Sequence, residues 1–424
     1  MEREVSAFIG IMGALGFFVC AQPVFAQVYS KEKIYHYLKS QQADQTGLVN
    51  SFTNTSDEML INQASTYDQA LAVIVFLLNK DNVAASRILD FYKSKWTGIG
   101  FPNFYNTNDG QAGIEGTIHL GPNAWIVLAA LQYDSMTGKK RYYDFAHKIA
   151  LWITQLPHDD AGGISMGSVA DWGANWREVF SVENNIDAFV VFRNFLAISS
   201  SPDDRILFTQ EVDGIKQFLK KKIFPQKPRI PVGPGNDFMA SDVFAFSLLA
   251  FKPFELENEF GLSPLEMFQI LDTNFLVETD DIIGYDFTDF LTKKTFARKP
   301  MISMEWSAMV ALAYFKISDY DHQFYELSGN QKNCDDAAAH EGSGKKILGY
   351  LDAKAMLYGK TKLVYPYATK AWEQVFPFAP WWRTPQRGDA GRLAGSLSGT
   401  CWRVFAEERF NPFDLKAGLL KVAE

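Results

Sequence analysis

The sequence predicts an all-α fold, an (α/α)6 barrel of six inner helices wrapped by six outer ones. Three observations carry the prediction. An apolar helical segment recurs six times along the 424 residues, amphipathic segments alternate with it, and strand-like alternation is sparse. Hydrophobic residues at 47% and charged residues at 21% supply an ordinary globular core and exclude a disordered or collagen-like chain. A net charge of −8 offers no general basic field to hold a nucleic acid.

In chain order, residues 5–19 (VSAFIGIMGALGFFV) form an apolar run, and Val24 and Ala26 suit the two small-residue positions before a signal-peptidase cut. Residues 1–26 are therefore expected to be an export signal, with Gln27 starting the mature chain. Glu2 and Glu4 weaken its basic start, so an uncleaved anchor is the alternative; Phe17, Phe18 and Val19 make a poor lipobox before Cys20. Removal takes away one Arg and two Glu and moves the net charge from −8 to −7. Cys334 and Cys401 remain, too few for a disulfide scaffold or a CxxC zinc site. No later segment approaches a membrane span, so the mature chain is expected to be soluble and exported, as one barrel domain over 27–424.

The barrel begins with an amphipathic outer segment at 30–41. Inner and outer segments then alternate. TYDQALAVIVFLL from Thr66 precedes 83–95, LGPNAWIVLAAL from Leu120 precedes 140–155, and SVENNIDAFVVF from Ser181 precedes 203–223. SDVFAFSLLAF from Ser241 precedes 263–276, SMEWSAMVALAYF from Ser303 precedes 343–358, and SLSGTCWRVFAEERF from Ser396 closes the series. The inner segments align on a small residue (Ala70, Ala124, Ala188, Ala245, Ala308, Cys401), each followed by a bulky one. The spacings are 54, 64, 57, 63 and 93 residues. Inner segments are apolar almost all round, which demands burial on every side, whereas outer ones keep one charged face. A generic helical solenoid is the alternative architecture.

Connections into the inner helices are long (96–119, 156–180, 224–240, 277–302, 359–395). Returns are short, except a polar insertion at 317–342 placed on the far face. Long loops on one face of a rigid scaffold are where sites are built, and this face also carries the inner-helix N-termini. It presents Tyr67, Asp68, His119, Asn123, Glu183, Asn184, Asn185, Asp187, Ser241, Asp242 and Glu305, and its loops add Asp109, Glu115, Asp171, Arg177, Glu178, Asp237, Asp286 and Arg383. Helix capping accounts for Ser241, Ser303 and Asp242. Glu is a poor N-cap, so Glu183 and Glu305, set against apolar stretches, need a partner or a task. The loops are also aromatic: Trp172, Trp176 and Trp306, and seven rings from Tyr365 through Trp381 to Trp382. Trp125 and Trp402 read as core. Flat rings beside Asp, Asn and Arg suit a sugar, whose C–H faces stack and whose hydroxyls hydrogen-bond; a protein-binding surface draws on the same residues.

The inner-helix starts TYDQAL, GPNAW, SVENNIDAF and SMEWSAM, with WWRTP and SLSGTCWRVFAEERFNPF, resemble the six-hairpin glycosidase superfamily over residues 30–413. The resemblance implies an (α/α)6 barrel and a glycoside hydrolase, commonly inverting, with polysaccharide lyases and sugar epimerases among its relatives. An inverting hydrolase needs one protonated and one ionised carboxyl about 6.5–9.5 Å apart. Glu305, next to Trp306, is the expected acid, with Glu183 second; Asp68, on a different inner helix, is the expected base, with Glu115 and Asp171 as rivals. Tyr67, Glu115, His119, Asn123, Asp171, Trp172, Trp176, Arg177, Asn184, Asp187, Asp242, Trp306, Trp381, Trp382 and Arg383 are the expected contacts to an oligo- or polysaccharide. One alternative is a lyase or epimerase on uronic-acid glycans, using Tyr67, His119, Arg177 and Arg383. Another is a non-catalytic glycan-binding protein of an envelope-polysaccharide system. No Asp-rich pyrophosphate motif, GxSxG or Gly-rich phosphate loop occurs, against a terpenoid cyclase, a serine hydrolase or a nucleotide site. The reading involves no cofactor and no metal; His158-Asp159-Asp160 reads as a solvated loop.

Overall fold

The computed structural model describes residues 29–171, 174–279, 282–295, 297–376 and 379–415; residues 1–26, expected to be an export signal, lie outside them. Within them the helices are α1 (Lys31–Gln41), α2 (Thr66–Leu78), α3 (Asn82–Lys95), α4 (Leu120–Thr137), α5 (Tyr143–Ile153), α6 (Val182–Ile198) and α7 (Pro202–Phe218). They continue with α8 (Ser241–Ala250), α9 (Pro253–Glu255), α10 (Pro264–Asn274), α11 (Phe290–Thr295), α12 (Met304–Ser328), α13 (Gln331–Asp352) and α14 (Leu397–Glu407). Helices α2, α4, α6, α8, α12 and α14 each pack on the next, and α14 returns to α2, closing a ring rather than a solenoid. Around them lie α1, α3, α5, α7, α10 and α13.

The packing follows the apolar patterns. Helix α8 is buried along its whole length, as is α2 from Asp68 to Leu77, because residues apolar all round have no face to give to water. Helix α5 instead buries Phe145, Ala146, Ile149, Ala150, Trp152 and Ile153 and leaves Lys148 outside. The strands are short and sit in the loops. The largest sheet runs Phe52–Thr53, Gly395–Ser396, Lys362–Pro366, Met356–Tyr358, antiparallel throughout, with Phe52 opposite Ser396 and Gly395 opposite Pro366.

One expectation is corrected. The insertion at 317–342 is not a loop: α12 runs on to Ser328, turns at Gly329 (φ 67°), and α13 starts at Gln331. The two project past the ring as a hairpin. A narrow stripe of Ala337, Gly344, Ile347, Leu348 and Leu351 suffices to bury it, with Ser318 Oγ donating to Ala337 O (2.9 Å) and His340 on Asp321 (2.9 Å). The outer helix accordingly ends at Asp352, and Met356–Tyr358 is strand.

A second feature fixes the depth of the barrel. Trp125, Trp402 and Phe246, each about a turn and a half into its helix, meet across the axis at ring separations of 5.8–6.0 Å. From the opposite end the segment after α14 inserts Phe413 against Trp125 (5.4 Å) and Phe246 (5.1 Å). Gln132 Nε2 anchors this segment through Pro412 O (3.0 Å) and Asp414 O (2.9 Å), and Asn194 Nδ2 through Phe413 O (3.2 Å).

Candidate active site

The second residues of the inner helices are Tyr67, Gly121, Glu183, Asp242, Glu305 and Ser398, and those with side chains meet at the axis. Tyr67 Oη donates to Glu305 Oε1 (2.8 Å), Ser398 Oγ donates to Glu305 Oε2 (2.7 Å), and Trp402 Nε1 donates to Tyr67 Oη (2.6 Å). Helix α12 is started by Ser303, whose Oγ accepts from Trp306 N (3.2 Å), so Glu305 points inward from a capped first turn.

Fourth residues do a different task. Gln69 exchanges hydrogen bonds with Val49 N and O (2.7 Å each), Asn123 with Phe101 N (2.8 Å) and O (3.0 Å), and Asn185 with Ile164 N (2.8 Å) and O (2.9 Å). Ser307 meets Tyr285 N (2.8 Å), and Thr400 meets Tyr365 N (3.0 Å). Five of the six loops are thus pinned to the helix they lead into, through backbone groups that would otherwise be buried unpaired; the exception is α8, whose fourth residue is Phe244.

Five carboxyls share the well. Burial pushes Glu305, 7% exposed, up to about 7, against the opposing effect of Ser398 and Tyr67. Burial and then the charge of Glu305 push Glu183, the more open of the two, up to about 7. Asp68, Asp187 and Asp242 are all raised well above the usual range by burial first. The next opposing or reinforcing influence is the Ser51 hydroxyl for Asp68 and the Glu183 charge for the other two. No Lys or Arg contributes to any of these shifts, so the cluster holds protons in place of full negative charge. Tyr67 is itself raised, by burial and then Glu305, which keeps it a donor.

Aromatic walls rise on two sides. Trp306 packs on Phe287 (4.8 Å) and Trp382 (6.4 Å), and Trp382 Nε1 donates to Tyr367 Oη (3.0 Å). Opposite, Asn103 Nδ2 bridges Glu115 Oε1 (2.9 Å) and His119 Nδ1 (2.8 Å), and the His119 ring lies 4.4 Å from Trp176.

No known family profile matches the sequence, and no curated protein matches it. Solved structures do match, over nearly the whole chain. A glycosidase, solved as the wild type and as a variant holding glucose, is 11% identical with a TM-score of 0.61, covering 92% of this chain and 98% of its own. The fold is the helical (α/α) barrel of that glycosidase. A cellobiose 2-epimerase from Bacillus thermoamylovorans shares it at 10% identity and a TM-score of 0.58, over 88% of this chain and 96% of its own. So does a D-mannose isomerase, at 12% and 0.59, over 92% and 99%.

The barrel brings together Tyr67, Asp68, Glu183, Asp187, Asp242, Glu305 and Trp306 in its well, with Glu115, His119, Trp176 and Trp382 in its walls. It does not present Asn123, whose amide is spent on Phe101 and on His119 O (2.8 Å), nor Asn184, whose Oδ1 accepts from Gly121 N (3.2 Å). Arg177 and Arg383 are exposed, the latter over the Trp372 ring at 5.6 Å. Asp171 and Trp381 fall on the short strands Ala170–Asp171 and Ala379–Arg383, and Trp172 lies outside the described residues. Tyr367, one of the seven loop rings noted in the sequence, belongs to this region, as do Ser398 and the indole N–H groups of Trp125 and Trp402, which were not legible from sequence: a Ser between Leu397 and Gly399 and two tryptophans in apolar helices carry no mark of it.

Proposed function

We propose that this chain is a carbohydrate-active enzyme that hydrolyses a glycosidic bond with inversion, Glu183 acting as the acid and Glu305 as the base. The observation that carries the reading is the unequal setting of two carboxyls in one well, both near 7. Glu305 accepts on both oxygens, from Tyr67 and Ser398, which favours its ionised form and leaves a lone pair on each oxygen for a water. Glu183 has burial and the charge of Glu305 against its ionisation, so it keeps the proton that a leaving oxygen needs. This reverses the assignment expected from sequence, with Glu305 as acid. Asp68, the sequence-expected base, is driven up by burial and stands as a neutral neighbour of Glu305. The N-terminal apolar run supports action outside the cytoplasm.

A sugar epimerase or isomerase is the second reading, favoured by two of the fold neighbours and by the imidazole of His119 beside Trp176. A uronate lyase has less support, because Tyr67 is raised rather than lowered and Arg177 and Arg383 stand on exposed loops.

The test is a glycan and free-sugar panel, read for reducing ends, for the ultraviolet absorbance of an unsaturated product, and by NMR for the anomer released. New reducing ends of inverted configuration, lost in Glu183→Gln and Glu305→Gln, are expected. Interconversion of free sugars without new reducing ends would establish the epimerase reading, and the absorbance a lyase. Binding with no turnover would leave a glycan-binding protein.

A further inference from the structure

Below the ring of second residues lies a polar pair that the proposed chemistry does not use. Asp187 is one helical turn past Glu183 on α6 and 1% exposed, and neither of its carboxyl oxygens has a hydrogen-bond partner among the described residues. The indole N–H of Trp125, on α4, is equally buried and equally without one. It faces Asp187 closely enough to lower the pKa of that carboxyl as a hydrogen bond does, although the N–H···O geometry stops short of a full one and leaves both groups incompletely satisfied. Directly beneath, Trp125 packs on Trp402, Phe246 and Phe413, so the pair is the last polar feature above the aromatic floor. Native folds rarely leave a buried donor and a buried acceptor side by side and incompletely bonded; where they do, a functional role or a bound group is among the explanations to test.

We infer that Asp187 and Trp125 form a subsite for one hydroxyl of a neutral sugar, and so select which glycoside the well accepts. The inference rests on the carbohydrate reading above and names its substrate class. The chemistry of the two groups is restrictive. An indole N–H only donates, so the ligand atom must accept; a carboxyl whose oxygens are unpaired needs a donor. A hydroxyl does both at once. An ammonium cannot accept from Trp125, which disfavours an amino sugar at this position. A carboxylate or sulfate accepts from Trp125 but would bring a full negative charge into a buried site where no Lys or Arg acts on the cluster to balance it.

The experiment is isothermal titration of the full chain with glucose, mannose and galactose, the monodeoxy analogues of whichever binds, and glucosamine and glucuronate. A neutral sugar is expected to bind, and one of its monodeoxy analogues to bind about tenfold more weakly. In Trp125→Phe, which keeps the ring in the floor, the parent sugar should fall about tenfold and that analogue should lose nothing further, the signature of one shared contact. Asp187→Asn should weaken the same sugar without changing which analogue is penalised. Monodeoxy analogues all within twofold of the parent on the wild type would overturn the subsite, as would tighter binding of glucosamine or glucuronate. Because the deoxy series uses the unaltered chain, its outcome decides the matter even if Trp125→Phe fails to fold. Sugar binding or glycan cleavage with a flat deoxy series removes the subsite alone. No binding by any sugar together with no glycan turnover removes the carbohydrate reading and the subsite with it.

Discussion

Tyr67 and Glu305 are 238 residues apart in the chain and 2.8 Å apart across the mouth of the barrel. The phenol donates to one carboxylate oxygen while Trp402 donates to the phenol, so three inner helices converge on the state of one carboxyl. Tyr67→Phe removes a bond that favours ionised Glu305. Its pKa then rises, and the acidic limb of the rate profile is expected to move up by about one pH unit, with kcat near neutrality falling about tenfold. A pH–rate series on the variant checks both.

Stability should also respond to this pair. Glu183 and Glu305 sit near 7 in the folded chain against an ordinary value of 4.5. Between those values the folded state binds more protons than the unfolded state. Their contribution is therefore complete below 4.5, falls as pH rises towards 7, and loses nothing further above. Melting temperature followed across this interval should drop more steeply in the wild type than in the double variant Glu183→Gln, Glu305→Gln.

The loop-pinning amides make a separate prediction. Asn185→Leu keeps the branched four-atom outline of the side chain but strips Ile164 of the partners for both its N–H and its C=O. A cost of about 2–4 kcal/mol is expected, read as a lower urea midpoint with an unchanged slope. The loop at 156–180 should become the first point of limited proteolysis.

Two glycines of α13 should respond with opposite signs. A Cβ at Gly344 would lie 2.5 Å from the Phe315 ring, whereas at Gly349 it would meet nothing within 4 Å. Gly349→Ala should stabilise by about 0.5–1 kcal/mol, the ordinary helical gain. Gly344→Ala should instead destabilise by about 1–3 kcal/mol, because the hairpin must open to admit the methyl group. Paired thermal melts of the two variants decide it.

The ring of inner helices was legible because segments apolar on every side have nowhere to go but the middle of a barrel. Glu183 and Glu305 were legible because glutamate seldom caps a helix. The register of the repeat was less so. Aligning small residues places Ala188 with Ala124, but α6 begins at Val182, and helix starts are 54, 62, 59, 63 and 93 residues apart. What five of the six units share is a fourth residue that pins a loop, as Gln, Asn, Ser or Thr, with Phe244 of α8 the exception, and that chemistry is invisible until the loop backbone is in place. For the same reason Asn123 looks like a ligand contact in the sequence. Trp125 and Trp402 were legible as core rings, but where an indole N–H points depends on packing, not on hydropathy. The 317–342 stretch read as a loop because a hairpin projecting past the ring buries too narrow a stripe to dominate its composition.

Phe413 closes the barrel from below, and the well becomes a cul-de-sac. A ligand of the well would enter and leave through one doorway, so a long glycan could not be threaded through the protein and shortened in passing. On the hydrolytic reading, each cleavage is a separate visit by a chain, and the sugar left in the well must back out before the next can enter. On that reading product and substrate compete for one entrance, a consequence of the same aromatic floor that joins α4, α8 and α14.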